Sequence, residues 1–179
     1  MCFWQPAAGH ICELKGNGMF REMRRKRQQL EQVECEAILR EATSGVLSLL
    51  GDDGYPYGVP LSHAYVDGRL VFHGSMKGHK LDAMRANPKA SYTVIQQDQV
   101  VPEEFTTYFR SVIAFGQLCV LEGERKLAAL RQLSDAFWPN HEEEREAEIA
   151  PRLDHMSVFV MDIEHMTGKQ AKELVKKAR

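Results

Sequence analysis

Two basic side chains and a serine lie where a short predicted strand gives way to a predicted helix. The strand ends in His73-Gly74-Ser75, and His79-Lys80 stands at the start of the helix. The start of a helix exposes unpaired backbone N–H groups and the positive end of the helix dipole, and both attract anions. Cations oppose that dipole, so an imidazole and an ammonium there are best explained by a bound anion. The stretch therefore predicts a phosphate site, and with it a phosphorylated cofactor or substrate.

His73 is the candidate catalytic residue of this stretch. It shares a strand face with Val71, while Leu70 and Phe72 point to the other face. A histidine near the end of a buried strand is more often a hydrogen-bonded structural residue than a functional one. Its place just before the predicted phosphate site favours a functional role here.

Arg110 and Ser111 are a second candidate pair. They lie midway along a long predicted strand, 107–121. An arginine among apolar residues needs an anion or a charged partner. We expect the pair to line a subunit interface or the edge of a cofactor.

No metal or hydrolase site is expected. His63, His73 and His79 have no carboxylate or cysteine at ligand spacing, and the four cysteines form no C-x-x-C pair. Arg145 stands where a H-E-x-x-H motif starting at His141 would need its second histidine. G-x-G-x-x-G and P-loop motifs are absent, which argues against the usual dinucleotide and nucleoside triphosphate sites.

The elements around these residues predict a mainly β protein. Asp53-Gly54 and Asp67-Gly68 are hairpin signals that connect three antiparallel strands. Apolar patterning predicts further strands at 90–96, 107–121 and 157–163, and helices at 31–42, 77–87, 124–137 and 169–177. Six antiparallel strands with helices inserted between them predict a closed barrel with the helices outside.

Two prolines interrupt the second predicted strand, at Pro56 and Pro60. Proline cannot donate a hydrogen bond to a β-ladder, so it is confined to edge strands and bulges. We therefore expect an edge or bulged strand whose backbone is free to face another group.

Bulk properties suit one ordinary globular domain. The chain has 179 residues, of which 44% are hydrophobic and 27% charged. Its net charge of −2 favours neither nucleic acid nor anionic lipid as a partner, and the basic cluster Arg24–Arg27 is expected to be solvated. Residues 1–18 lack periodicity, so we predict a disordered extension there and a domain over 19–179.

The sequence contains no apolar run long enough for a membrane span and no pattern typical of a secretory signal. We therefore expect a cytoplasmic protein without a membrane partner.

Three longer blocks occur in a characteristic order. They are YPYGVPLSHAYVDGRLVFHGSMKGHKLDAMRANPKAS, EFTTYFRSVIAFGQLCVLE and MDIEHMTGKQA. Together they resemble the pyridoxamine 5′-phosphate oxidase-related flavoproteins, most closely the NimA-like branch named for 5-nitroimidazole resistance, over about residues 19–175. The resemblance implies a six-stranded antiparallel FMN-binding split barrel that works as a homodimer, with flavin at the subunit interface.

The resemblance also assigns roles to residues. Val59, Pro60, Leu61 and Ser62 would run along the isoalloxazine ring, and His73, Gly74 and Ser75 would lie beside the flavin. His79 and Lys80 would hold the FMN phosphate, and Arg110 and Ser111 would approach a flavin, across the dimer. True pyridoxamine 5′-phosphate oxidases carry Arg-Lys in place of His79-Lys80 and a C-terminal substrate-binding segment not found here, so vitamin B6 oxidation is not expected.

The implied function is an FMN-dependent reductase. It would take electrons from NADH or NADPH and reduce a small acceptor such as a nitroaromatic or nitroimidazole compound, with His73 donating a hydrogen bond or proton to that acceptor. One alternative is a flavin-binding module that stores or senses the cofactor. Another is a related split barrel that binds haem, with His73 as ligand, or a deazaflavin.

Overall fold

The computed structural model describes residues 20–175. The predicted extension over residues 1–18 lies outside that range, so it stays a prediction. Among the described residues, no helix is long and apolar enough to cross a membrane.

The first half of the described chain consists of short strands and helices. They are β1 (Gln29–Leu30), α1 (Gln32–Glu41), β2 (Ser44–Leu50), β3 (Pro56–Ser62), β4 (Ala64–Val66), β5 (Arg69–Ser75) and α2 (His79–Ala86). The second half has longer elements: β6 (Lys89–Val101), β7 (Thr106–Leu121), α3 (Gly123–Phe137), α4 (Glu142–Ile149) and β8 (Met156–Gln170).

All eight of the described strands belong to one antiparallel sheet, in the order β3-β2-β6-β7-β8-β5-β4, with β1 added to β8. The prediction of a mainly β, antiparallel fold with flanking helices is confirmed. The two predicted hairpins are present, and Asp53, Gly54, Asp67 and Gly68 all adopt the positive φ values that such turns require.

The second predicted strand is divided at His63 into β3 and β4, and these two strands are the two ends of the sheet. Among the strands of residues 20–175, β3 pairs only with β2, so the edge position predicted from Pro56 and Pro60 is correct. The predicted closed barrel is instead a split one, because the chain at His63, and not a hydrogen-bonded ladder, joins the two ends.

Two apolar clusters hold this sheet. The first lies inside the curved sheet beneath α1 and includes Leu47, Phe72, Tyr92 and Phe159. The second packs α3 and α4 on the outer face of β5 and β8, with Leu130, Leu133 and Ile149 against Val71 and Val158. The helices that flank β5 therefore define what its outer face can bind.

β8 is much longer than the predicted strand at 157–163. The prediction of an α-helix at 169–177 is wrong over its described part, where β8 continues to Gln170 and a short 3-10 turn follows at Lys172–Leu174. The end of β8 is held between β1 and β7. Gly168 permits this, because a Cβ there would collide with the Cys35 sulfur of α1. Pairing with neighbouring strands has overridden the local helical pattern.

Candidate functional site

A gap opens in the sheet beyond His63. Ala64 of β4 pairs with Val71 of β5, but two residues further along, Ser62 pairs with Ser44 and His73 pairs with Val158. From this point β3 pairs with β2, whereas β5 pairs with β8. The gap is therefore bounded by the edge of Val59–Ser62 and by the end of β5, His73–Ser75, and these two predicted groups lie on its two sides.

A buried hydrogen-bond network fixes the β3 side of the gap. The Tyr92 hydroxyl donates to the Leu61 carbonyl oxygen over 2.7 Å and lies 2.9 Å from Nδ1 of His63. The other ring nitrogen of His63, Nε2, donates to the Leu39 carbonyl oxygen over 2.9 Å. Burial lowers the pKa of His63, so its ring is held neutral. His63 and Tyr92 thus have a structural role next to Leu61.

Lys80 extends from the start of α2 onto the end of β5. Its Nζ lies 5.6 Å from the centre of the Phe159 ring, and a Cβ placed on Gly74 would be only 2.7 Å from that nitrogen. Partial burial lowers the pKa of Lys80. No carboxylate in residues 20–175 lies within salt-bridge distance of it. A partly buried ammonium without a carboxylate partner is a site for an anion.

His79 points away from Lys80. Its ring stacks on Tyr57 of β3, with ring centres 4.1 Å apart, and its Nε2 lies 3.6 Å from Oδ2 of Asp52. The imidazole therefore has two partners on the β3 side, the Tyr57 ring and the Asp52 carboxylate. The predicted pair is thus divided: Lys80 faces Gly74, and His79 links α2 to the β3 side of the gap.

The turn between β5 and α2 leaves the start of α2 open to solvent. Gly78 at the N-cap has φ 121°, which favours glycine, and no side chain caps the helix. The Ser75 hydroxyl accepts a 3.3 Å hydrogen bond from the backbone of Lys77, and Ser157 donates to the Ser75 carbonyl oxygen over 2.8 Å. These contacts fix the end of β5 and leave the first N–H groups of α2 available to an anion.

His73 lies on the outer face of β5, as the strand alternation predicts. Partial burial, and then the nearby positive charge of Lys80, lower the pKa of His73, so its imidazole is neutral near pH 7. The ring contributes to the wall of a cavity of about 420 Å³ between β5, α3 and α4. His73 and Lys80 therefore flank the end of β5 from opposite faces.

Arg110 and Ser111 lie apart from this gap within the chain. Arg110 donates to Glu34 of α1 over 3.0 Å, while Ser111, as its strand neighbour, points to the opposite face. The pairs Pro60–Val46, Val46–Thr93 and Thr93–Ile113 separate β3 from β7 by three strand spacings, about 14 Å. In the single chain the two residues join neither Lys80 nor His73.

Several residues of this region were missed by reasoning from the sequence. Tyr57, Asp52, Tyr92 and Ser157 contact the predicted site residues across long sequence separations. There was a reason in the sequence to look for one further residue, Glu34, because Arg110 was expected to need an anionic partner. Among the described residues, no group of three or more His, Cys, Asp or Glu could hold a metal ion.

Comparison with known proteins identifies relatives across most of the chain. An uncharacterised protein of Rhizobium meliloti (strain 1021) is 27% identical over 150 residues, covering 79% of this chain and 93% of the relative.

Several solved structures share the fold, and two of them serve as examples. A candidate 5-nitroimidazole antibiotic resistance protein of Bacteroides thetaiotaomicron VPI-5482 is 20% identical, with a TM-score of 0.67 over 79% of this chain and 86% of its own. An FAD and haem binding protein of Mycobacterium smegmatis is 23% identical, with a TM-score of 0.73 over 84% and 77% of the two chains. The sequence pattern of the pyridoxamine 5′-phosphate oxidase family matches residues 31–170, and the chain belongs to that family.

Proposed function

We propose that this protein binds FMN in the gap between β3 and β5. The observation that carries the proposal is the ammonium of Lys80, which is partly buried against Gly74 with no carboxylate near it in the described chain. A phosphate dianion would supply the missing negative charge. The uncapped start of α2 adds backbone N–H groups at the same place.

The isoalloxazine ring would then lie along the free edge of β3. The outward backbone groups of Val59–Ser62 form no ladder with any other described strand on that side, so they can meet the polar edge of the ring. Tyr92 holds the carbonyl of Leu61 in place, which keeps this edge in one geometry. Binding and orientation of the flavin are the protein's contribution, because the redox chemistry belongs to the cofactor.

We further propose a reductase that uses NADH or NADPH. FMN, when bound, supplies hydride acceptance and electron delivery to a small acceptor, of which nitroaromatic and nitroimidazole compounds are our candidates. A neutral His73 has one N–H to donate to that acceptor. The similarity in fold to a candidate nitroimidazole resistance protein supports this choice of acceptor.

A homodimer is part of the proposal. The outer face of the sheet carries exposed apolar side chains at Val46, Ile95 and Ile113, next to Ser111. An apolar patch on the outer face of an antiparallel sheet is typical of a surface that a partner covers. A second subunit on this face would bring its Ser111 toward the β3 edge, which Ser111 of the same chain does not reach.

The absorption spectrum of the purified protein tests the cofactor. Flavin bands with one FMN per subunit are expected; a Soret band would instead indicate haem, for which His73 in its cavity is the candidate ligand. The haem alternative draws support from the Mycobacterium smegmatis protein. Steady-state oxidation of NADH or NADPH with a 5-nitroimidazole then separates a reductase from a flavin store or sensor, which would show no turnover.

A further inference from the structure

The cavity beside His73 is distinct from the gap that we assign to the flavin. It lies on the outer face of β5, between that strand and the helices α3 and α4, and has a volume of about 420 Å³. Cavities that bind small molecules fall in the range of about 300–1,000 Å³. Lys80 and Gly74 lie at the opposite face of β5, so this space is additional to the phosphate site.

The walls of the cavity are mainly apolar. Leu130, Leu133 and Ile149 form its buried base, and they are 5%, 3% and 4% exposed. Phe137 and Trp138 stand at its mouth and are 46% and 56% exposed. Large aromatic side chains exposed beside an apolar cavity are typical of a binding site for a flat apolar molecule.

The charged residues around the cavity neutralise one another. Arg145 is paired with Asp135 and Glu146, and Arg152 is paired with Glu148. Neither arginine is therefore left without a counter-ion, and Glu144 adds a further negative charge at the wall. An anionic ligand would lose its hydration there without gaining a free cation.

We propose that this cavity binds the electron acceptor and selects an uncharged aromatic molecule, with His73 in its wall as the hydrogen-bond donor. The inference rests on the proposed reductase function. His73 connects the two sites, because its ring lines the cavity while its backbone lies at the end of β5 that borders the flavin gap. Trp138 and Phe137 would cover the ring of the acceptor at the mouth, and the apolar base would exclude water from it.

Flavin-free protein provides a test that does not depend on activity. The probe is N-phenyl-1-naphthylamine, an uncharged aromatic compound whose fluorescence rises in apolar surroundings. Its matched anion is 1-anilinonaphthalene-8-sulfonate, which has the same ring system with a sulfonate. We expect the uncharged probe to bind at least tenfold more tightly than the anion, and 1-nitronaphthalene to displace it.

Three substitutions on α3 locate the binding. Ser134 lies on the cavity face of α3, whereas Ala136 is exposed on another face. Ser134→Phe should weaken binding of the uncharged probe at least tenfold, and Ala136→Phe should leave it unchanged. Phe137→Ala removes an aromatic side chain that is 46% exposed and should weaken binding several-fold. Equal binding by Ser134→Phe and Ala136→Phe, or equal affinity for the two probes, would overturn the proposal.

Flavin-loaded protein separates this inference from the proposed function. Ser134→Phe should raise the KM for 1-nitronaphthalene while FMN affinity stays unchanged. Turnover that is insensitive to Ser134→Phe contradicts the acceptor cavity but leaves the reductase intact. Selective probe binding in a protein that never binds FMN supports a ligand site here and contradicts the reductase.

Discussion

Lys80 and Gly74 are mutually dependent: the ammonium of Lys80 occupies the space that any side chain at position 74 would fill, with only 2.7 Å between Nζ and an added Cβ. Glycine at position 74 thus lets the ammonium of Lys80 lie directly against the backbone of β5. A phosphate at this place would meet the ammonium and the start of α2 together.

Gly74→Ala should therefore weaken FMN binding without unfolding the protein. The new methyl group displaces the flexible end of Lys80, so we expect about a tenfold loss of affinity, or about 1.4 kcal/mol, in an FMN titration. Gly116→Ala is the contrasting variant, since its Cβ would meet the rigid backbone carbonyl of Asp162 and should lower the melting temperature instead. Unchanged FMN affinity in Gly74→Ala would contradict the placement of the phosphate beside Lys80.

Lys80 should also give FMN binding a pH dependence. Only the protonated lysine attracts phosphate, and burial lowers its pKa, so affinity is complete below that pKa and is lost as pH rises through it. The loss should begin at lower pH than for a solvated lysine. Lys80→Arg should keep its affinity to higher pH, because the guanidinium stays charged. Lys80→Ala should lose about 10- to 150-fold at pH 7, the worth of one charged hydrogen bond.

His73→Ala should separate binding from turnover. The residue lies on the cavity side of β5, so FMN stoichiometry should stay unchanged while kcat for acceptor reduction falls by about 100-fold, as for the loss of a positioned proton or hydrogen-bond donor. His165→Ala, at a histidine far along β8, serves as the control. Full turnover in His73→Ala would exclude this role.

Ile113→Asp tests the proposed dimer. A charge on the outer face of β7 should prevent association, and sedimentation should then show a monomer that retains little FMN. Val120→Asp is a matched control on the same strand, because Val120 and Ile113 are similarly exposed, at 37% and 36%. A dimer that persists in Ile113→Asp would place the interface elsewhere.

Tyr92→Phe should reduce the free energy of unfolding by about 1–3 kcal/mol, the cost of leaving a buried polar group without its partner. The variant removes the hydrogen bond to the Leu61 carbonyl and the contact with His63. Urea unfolding would measure the loss. A stability equal to that of the unaltered protein would show that the network is not needed.

Local chemistry explains which parts of the fold could be predicted from the sequence. Asp-Gly turns require positive φ, and proline excludes a ladder bond, so the hairpins and the β3 edge follow from a few residues. The end of β8 and the partners of His79 depend on contacts with distant strands and could not be predicted from local pattern. For the candidate site, the His73–Lys80 stretch was located, but its division between two faces of β5 became clear only from the packing of Phe159 and α3.

The continuity of the chain through His63 limits how far the gap can open. His63 joins β3, one wall of the gap, to β4, which pairs with β5, the other wall. The ring of His63 is bound on both sides by Leu39 and Tyr92. The width of the opening is therefore set by covalent geometry at one end, so a ligand would enter from the end near α2. Among the described strands, no ladder links β3 to β5 beyond His63, so a flat molecule lying between them would displace neither strand from its paired neighbour.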